Sequence, residues 1–230
     1  MFSVFHDLKL PKVLLETGSP HNKKIILVEA GKTRKVLVEG TIQSVNWDSP
    51  IVEKKFWGHI VPILKEYQPT LSNVLMLGLG GGTMQHLISH AFPEINITTV
   101  EIDKVMVDLA TEYFDLAKIP NHTIIIDDAF RFVAEPDKRG FSDHSFQAAV
   151  VDLACGETYS DLNKSGTFIT SLKNLVVPEG LIIFNRMYLE HHQESVNEFI
   201  KVASEYLADV KTEIIAGATN SDNILIYGRA

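Results

Sequence analysis

Three carboxylates and a run of glycines carry what chemistry can be read from this chain. The stretch Val74-Leu75-Met76-Leu77-Gly78-Leu79-Gly80-Gly81-Gly82-Thr83 reads as a buried strand that ends in a glycine-rich bend. Met84-Gln85-His86-Leu87-Ile88 then opens a helix, whose first backbone N–H groups point at whatever lies above the strand end. Gly78, Gly80 and Gly82 permit positive φ and keep Cβ atoms out of the way of a ligand. A second strand, Ile97-Thr98-Thr99-Val100, ends in Glu101-Ile102-Asp103. An acid about 20 residues past such glycines is placed to meet the diol of a ribose. Three glycines alone would be only a tight turn. Strand, bend, helix, strand and acid in order predict a nucleoside site.

The elements that must hold these groups follow a strand–helix alternation. A helix starts at Asp103, an N-cap candidate, and runs through Val107, Ala110 and Tyr113. Thr123-Ile124-Ile125-Ile126 forms a third strand, closed by Asp127-Asp128-Ala129, and Phe146 to Val151 a fourth, ending at Asp152. Helices are expected from Thr167 to Leu175 and from Glu194 to Leu207, with Leu181-Ile182-Ile183-Phe184 between them as the fifth strand. The last two strands, about Lys211 to Ala216 and Asn223 to Tyr227, are joined by Gly-Ala-Thr-Asn-Ser-Asp, too short for a crossover helix. They must pair as a hairpin. The expected fold class is therefore α/β, a seven-stranded, mostly parallel Rossmann-like sheet with an antiparallel last strand. That is the topology of the S-adenosylmethionine-dependent methyltransferases. Thr83 breaks a dinucleotide-type G-x-G-x-x-G, which favours a nucleoside with a small charged tail.

Residues 1 to about 50 differ from this pattern. Lys23 to Glu29 and Arg34 to Glu39 are strand-like around a hairpin loop at Ala30-Gly31-Lys32-Thr33, and Gly40 to Val45 adds a third short strand. A helix is expected from Asp48-Ser49-Pro50 through Phe56-Trp57-Gly58-His59-Ile60. The chain thus divides into a small antiparallel β region, residues 1–50, and a nucleoside-binding α/β domain, residues 51–230. A sheet this small needs a partner surface, either the main domain or a second subunit, and a homodimer is expected.

Composition sets bounds. The 230 residues are 45% hydrophobic and 22% charged, as in an ordinary globular protein. A net charge of −8 argues against a broad nucleic-acid grip, and no apolar run is long enough to span a bilayer. The N-terminus lacks the layout of a signal peptide, and the one cysteine, Cys155, fits a reducing cytoplasm. Cys155 has no assignable base beside it and reads as a buried apolar residue. His86 and His90 share a helix face at metal-ligand spacing, but with no third ligand they read as exposed or half-buried helix residues, and no metal is expected. His191-His192 reads as a polar helix start.

The sequence resembles the spermidine synthases (aminopropyltransferases) and their methyltransferase-fold relatives. The similarity runs from Val36-Leu37-Val38-Glu39-Gly40-Thr41-Ile42-Gln43 to the fifth strand, through Val100-Glu101-Ile102-Asp103, Asp128-Ala129-Phe130 and Asp152. The resemblance implies that Glu101 takes the ribose hydroxyls and that Asp128 accepts from the adenine amino group. It likewise implies that Ala129 leaves room beside the ring and that Ile102 covers one face of it. The glycines at 78, 80, 81 and 82 belong to the same cofactor-binding set. Asp152, at the carboxyl end of a central strand, either orients and deprotonates a nucleophilic amine or caps the loop that follows. That loop, Gly156 to Asp161, would form the acceptor wall, with Glu157 and Tyr159 as contacts.

Three positions depart from the family. Gly81 stands where its loop has an Asp, Cys155 where a second Asp should follow Asp152, and Glu53-Lys54 where a Tyr-Gln pair should precede the helix histidine, here His59. These groups hold cationic amines in an aminopropyltransferase. Their loss points away from polyamine synthesis and would bring a lysine near the acceptor pocket. Gly81 no longer repels a carboxylate, which tilts the cofactor towards S-adenosylmethionine over its decarboxylated form, with that form and methylthioadenosine as the alternative ligands. The reading is a cytoplasmic S-adenosylmethionine-type transferase, with methyl transfer to a small-molecule nucleophile as the first expectation. An aminopropyltransferase is the second, and a non-catalytic nucleoside-binding or assembly module the third.

Overall fold

The structure, a computed structural model, describes residues 10–155, 158–159, 166–217 and 222–230, with the side chains at 155, 158 and 159 outside that description. Four strands come first: β1 (Lys12–Thr17), β2 (Ile25–Ala30), β3 (Thr33–Val38) and β4 (Thr41–Val45). They form an antiparallel sheet in the order β1-β2-β3-β4. The hairpin and third strand read from the sequence are there, and β1 adds to them. Its Lys-Val-Leu-Leu-Glu-Thr run is half-exposed and bulged between Val13 and Leu15, so the alternation that would announce it is blurred.

The α/β part follows as α1 (Phe56–Tyr67), β5 (Asn73–Leu77), α2 (Thr83–Ala91), β6 (Asn96–Glu101), α3 (Lys104–Tyr113), β7 (His122–Ile126), α4 (Ala129–Ala134) and β8 (Phe146–Val151). Two short strands, β9 (Ala154–Cys155) and β10 (Thr158–Tyr159), pair with each other. The chain finishes with α5 (Gly166–Leu175), β11 (Val176–Met187), α6 (Gln193–Tyr206), β12 (Ala208–Ile215) and β13 (Asn223–Arg229). The main sheet has seven strands in the order β12-β13-β11-β8-β5-β6-β7. β13 is antiparallel to both of its neighbours, while β11, β8, β5, β6 and β7 run parallel. The short final link forced this reversal, as the sequence predicts.

The two central strands are apolar from Val74 to Leu77 in β5 and from Ala148 to Val151 in β8, because helices cover both faces. Val74 and Met76 pack with Ile60, Leu64 and Ile88 from α1 and α2. Leu75 and Leu77 pack on the other face with Phe132, Ile169 and Phe199 from α4, α5 and α6. The N-terminal sheet finds its own partner within the chain. Ile25, Leu27, Val36 and Val38 bury against Met106, Leu109 and Phe114 at α3 and its end.

The expected helix start at Asp48-Ser49-Pro50 does not form. The buried Ser49 hydroxyl is 2.8 Å from Thr33 Oγ1, which ties it to β3 and takes it away from helix capping. A 3₁₀ turn, Val52–Lys54, follows, and the extended Lys55 separates it from α1. Pro178-Glu179-Gly180 lies within β11, where Glu179 has φ +64° and the register against β8 breaks between Val176 and Leu181. No helix among the described residues is long and apolar enough to cross a membrane.

A candidate nucleoside site at the strand ends

The glycine bend works by close approach. Gly78 has φ +102°, and a Cβ there would lie 2.2 Å from the Asp152 carbonyl oxygen. Only glycine lets the end of β5 pass this near the end of β8. Gly82, also left-handed at φ +81°, is the N-cap of α2, and its N–H donates to the Leu79 carbonyl at 3.0 Å. Thr83, the residue that breaks the dinucleotide pattern, has a structural task. Its hydroxyl lies 2.6 Å from Ser44 Oγ and also bonds the Val45 carbonyl, fastening β4 over the bend.

Glu101 closes β6 beside the bend. Its Oε2 accepts from Leu79 N–H at 3.0 Å and its Oε1 from Asp103 N–H at 2.8 Å. Each oxygen thus holds one backbone donor and keeps acceptor capacity for another, the pattern that suits a vicinal diol. Burial raises the pKa of this carboxyl above its ordinary range, against the pull of those same N–H groups. Asp103 caps α3 through Val105 N–H at 3.0 Å, as its sequence position predicts.

Asp128 caps α4. Its Oδ1 accepts from Phe130 N–H at 2.7 Å and Arg131 N–H at 3.1 Å, which leaves the other oxygen for a ligand amino group. Asp127 beside it is buried and bonded by the guanidinium groups of Arg131 and Arg139. Burial alone would raise its pKa, but the Arg131, Asp128 N–H and Arg139 hydrogen bonds outweigh it and hold the carboxyl low. Asp152, by contrast, has no charged partner among the described residues. Burial pushes its pKa up to about 6, and the Asn185 amide, donating to Oδ1 at 2.8 Å, offsets part of that rise.

Gly78, Glu101, Ile102, Asp128, Ala129 and Asp152 line one cavity of about 310 Å³. Gly80 lines an adjoining recess of about 50 Å³ that shares Gly78, Glu101 and Asp152. Gly81 and Gly82 line neither. A Cβ on Gly81 would sit 3.1 Å from Ser44 and 3.3 Å from Phe114, so this position faces the β4 roof. Glu157 lies outside the described residues, and Tyr159 and Cys155 are described only in their backbones, in β10 and β9. Glu53 and Lys54 are exposed and line neither of these two spaces. His59 instead meets Glu213 of β12, with Nδ1 2.6 Å from Oε1.

Sequence reasoning missed the contributions of the N-terminal region. His21 and Asn22, between β1 and β2, line the main cavity, and Asn22 and Gln43 line the recess. Asn22 donates to Asp103 Oδ2 at 2.6 Å and Ser19 Oγ bonds the same oxygen, hooking this turn onto the α3 cap. Nothing in the local pattern of Ser19-Pro20-His21-Asn22 signals a contact so far along the chain. His86 is also corrected: it is buried, its Nε2 sits 2.8 Å from the Phe114 carbonyl, and burial lowers its pKa. His90 stacks on Trp47, with centroids 4.2 Å apart. Among the described residues no cluster of three His, Cys, Asp or Glu is placed to hold a metal ion.

Residues 52–229 match the family model described as the spermine/spermidine synthase domain. An "eEF1A lysine and N-terminal methyltransferase homolog" of Drosophila melanogaster is 30% identical over 135 residues, which is 56% of this chain and 20% of that protein. A "polyamine aminopropyltransferase" of Sulfurisphaera tokodaii is 26% identical over 155 residues, 65% of this chain and 48% of that protein. The chain therefore spans between 20% and 48% of the length of these two relatives. Among solved structures, a probable spermidine synthase from Corynebacterium glutamicum superposes with a TM-score of 0.73 at 19% identity, over 96% of this chain and 80% of that one.

Proposed function

The chain belongs to the spermine/spermidine synthase domain family, and from that premise we propose that it is a transferase that binds S-adenosylmethionine and moves its methyl group to an amine. The observation that carries this reading is the convergence of Glu101, Asp128 and Asp152 on one cavity, with Gly78, Ile102 and Ala129 forming its walls. The residues fit a nucleoside: two half-satisfied carboxylate oxygens for a diol, a capped Asp with one open oxygen, and a small Ala129 beside it. In this reading residues 1–50 roof the glycine bend and residues 51–230 bind the nucleoside.

When bound, S-adenosylmethionine supplies an electrophilic methyl carbon on a sulfonium, and methyl transfer needs chiefly proximity and orientation. Glu101 and Asp128 fix the two ends of the nucleoside. Asp152, with a pKa near 6, is ionised at neutral pH and accepts a hydrogen bond or a proton from the acceptor amine. Glu157 and Tyr159 stay assigned to the acceptor wall. One relative is named an eEF1A lysine and N-terminal methyltransferase homolog and another a polyamine aminopropyltransferase, and both names fit the amine acceptor of this reading. Methyl transfer is favoured because Gly81, Cys155 and Glu53-Lys54 stand where the family carries its amine-binding groups. Aminopropyl transfer is the second reading, supported by the family match itself. A small-molecule acceptor, a cytoplasmic setting and a homodimer complete the proposal.

Calorimetric titration with S-adenosylmethionine, its decarboxylated form and methylthioadenosine, beside mass-spectrometric product assays, tests it. The expected outcome is S-adenosylmethionine binding at least as tight as that of the decarboxylated form, with methyl transfer to a primary amine. The acceptor panel should include small amines and peptides with a free N-terminus, and putrescine should give little spermidine. Robust spermidine formation, or a clear preference for the decarboxylated cofactor, would overturn the methyl assignment.

A further inference from the structure

The side chains behind Asp152 form a line that the proposed reaction does not use. Asn185 is buried on β11, beside β8, and donates through Nδ2 to Asp152 Oδ1 at 2.8 Å. Asn223 opens β13 opposite Met187 and donates through its own Nδ2 to Asn185 Oδ1 at 3.0 Å. The same Nδ2 lies 3.5 Å from the Arg186 carbonyl. Because β13 runs against the parallel strands, its first residue lies at their carboxyl ends, where the cavity is. A parallel last strand would have brought its final residue there instead.

An asparagine amide can be turned end for end without changing its shape, so its direction must come from its partners. A main-chain carbonyl only accepts, and the Arg186 carbonyl therefore holds the nitrogen end of Asn223 towards β11. Asn185 must then offer Asn223 its oxygen, which leaves its nitrogen for Asp152. We infer that Asn185 and Asn223 are positioning residues that fix Oδ1 of Asp152 as a permanent acceptor and leave Oδ2 as the oxygen that takes a proton. This rests on the amine-transfer reading for its use, though not for its geometry.

Among the described residues, the other titratable groups that share the cavity with Asp152 are Glu101 after β6, Asp127 and Asp128 after β7, and His21 between β1 and β2. Arg186, next along β11, lies over the Phe199 ring at 4.6 Å. None of them is altered in the test. The carbon-13 carboxyl resonance of Asp152 is followed from pH 4 to 9 in the full chain without ligand, together with the Asn185 side-chain amide protons. In the wild type both should titrate together near pH 6. Asn185→Ala should move the carboxyl midpoint up by about one pH unit, a tenfold gain in proton affinity. Asn223→Ala should move it the same way by less, and should uncouple the Asn185 amide protons from the titration. Ile224→Val, in the core one residue along β13, should lower stability without moving the midpoint. An Asp152 midpoint unchanged in both asparagine variants, with the fold intact, would overturn the inference. Absence of amine transfer by the wild type would instead overturn the functional reading and leave the titration result standing.

Discussion

The two halves of the cavity are built in different ways. On the nucleoside side, Glu101 and Asp128 are oriented by backbone N–H groups two or three residues ahead and, for Glu101, also by one from the adjacent bend. Each belongs to its own βα turn, and the turn sets its direction. On the acceptor side, Asp152 is held by a side chain from β11, itself held by a side chain from β13. The first half is local and the second is assembled from three strands. It follows that the orientation of Glu101 and Asp128 tolerates changes elsewhere in the chain, whereas that of Asp152 depends on the reversed last strand.

The sharpest way to break this division is at Gly78, which both halves share. Gly78→Ala would force a Cβ into the Asp152 carbonyl at a left-handed φ. We expect a loss of about 3–5 kcal/mol of stability in denaturant unfolding and of about a hundredfold or more in nucleoside affinity.

Asp152→Asn should strike the acceptor half alone. Transfer should fall by about 10²–10⁴-fold in a product assay, while nucleoside affinity by calorimetry holds. The same variant has a pH signature. A carboxyl whose folded pKa rises from 3.8 to about 6 binds its proton more tightly in the native state, so its contribution to stability falls as pH rises from about 4 to 6 and stays low above that. Removing the charge should therefore stabilise the protein by up to about 2–3 kcal/mol at pH 8 and hardly at all at pH 4. His122, with a pKa lowered to about 4 by burial, has the opposite slope, since it is neutral in the fold and gains a proton on unfolding below about pH 6.5. In Asp152→Asn it acts unopposed by Asp152, and stability measured by chemical denaturation should climb more steeply from pH 4 to 6.5 than in the wild type.

Glu101→Ala should strike the nucleoside half alone, lowering affinity by about 1–3 kcal/mol in calorimetry while the Asp152 titration stays in place. Thr83→Val should have the smallest effect. It keeps the shape of the residue but leaves the buried Ser44 hydroxyl without its partner, which should cost about 1–2 kcal/mol of stability. Unequal losses in these last two would sharpen the contrast, because Thr83 touches only the roof of the bend.

What the sequence made legible follows the same line. Gly78, Glu101 and Asp128 could be placed because strand, bend and acid recur within one βα unit, and the short link before Asn223 fixed the antiparallel strand. The rest depended on distant contacts. Asp48-Ser49-Pro50 has the look of a helix start, but the Ser49 hydroxyl is held by Thr33. His86 looked half-exposed because its partner, the Phe114 carbonyl, belongs to the far end of α3. Gly81 read as facing the ligand because its family counterpart does, yet Ser44 fills its Cβ direction. Asn22 and Gln43 reach the site only because the first sheet folds back over it.

That folding back has a consequence for the order in which the protein is made. Ile25, Leu27, Val36 and Val38 leave the ribosome well before Met106, Leu109 and Phe114, the residues that cover them. At about 5–20 residues per second, the apolar face of the first sheet waits roughly 4–15 seconds for α3 to be synthesised. A nascent chain halted before α3 emerges should expose that face to chaperones, and one that has passed Phe114 should not. The first sheet is thus translated early but completed late, and it can settle over the site only after the glycine bend and Glu101 beneath it already exist.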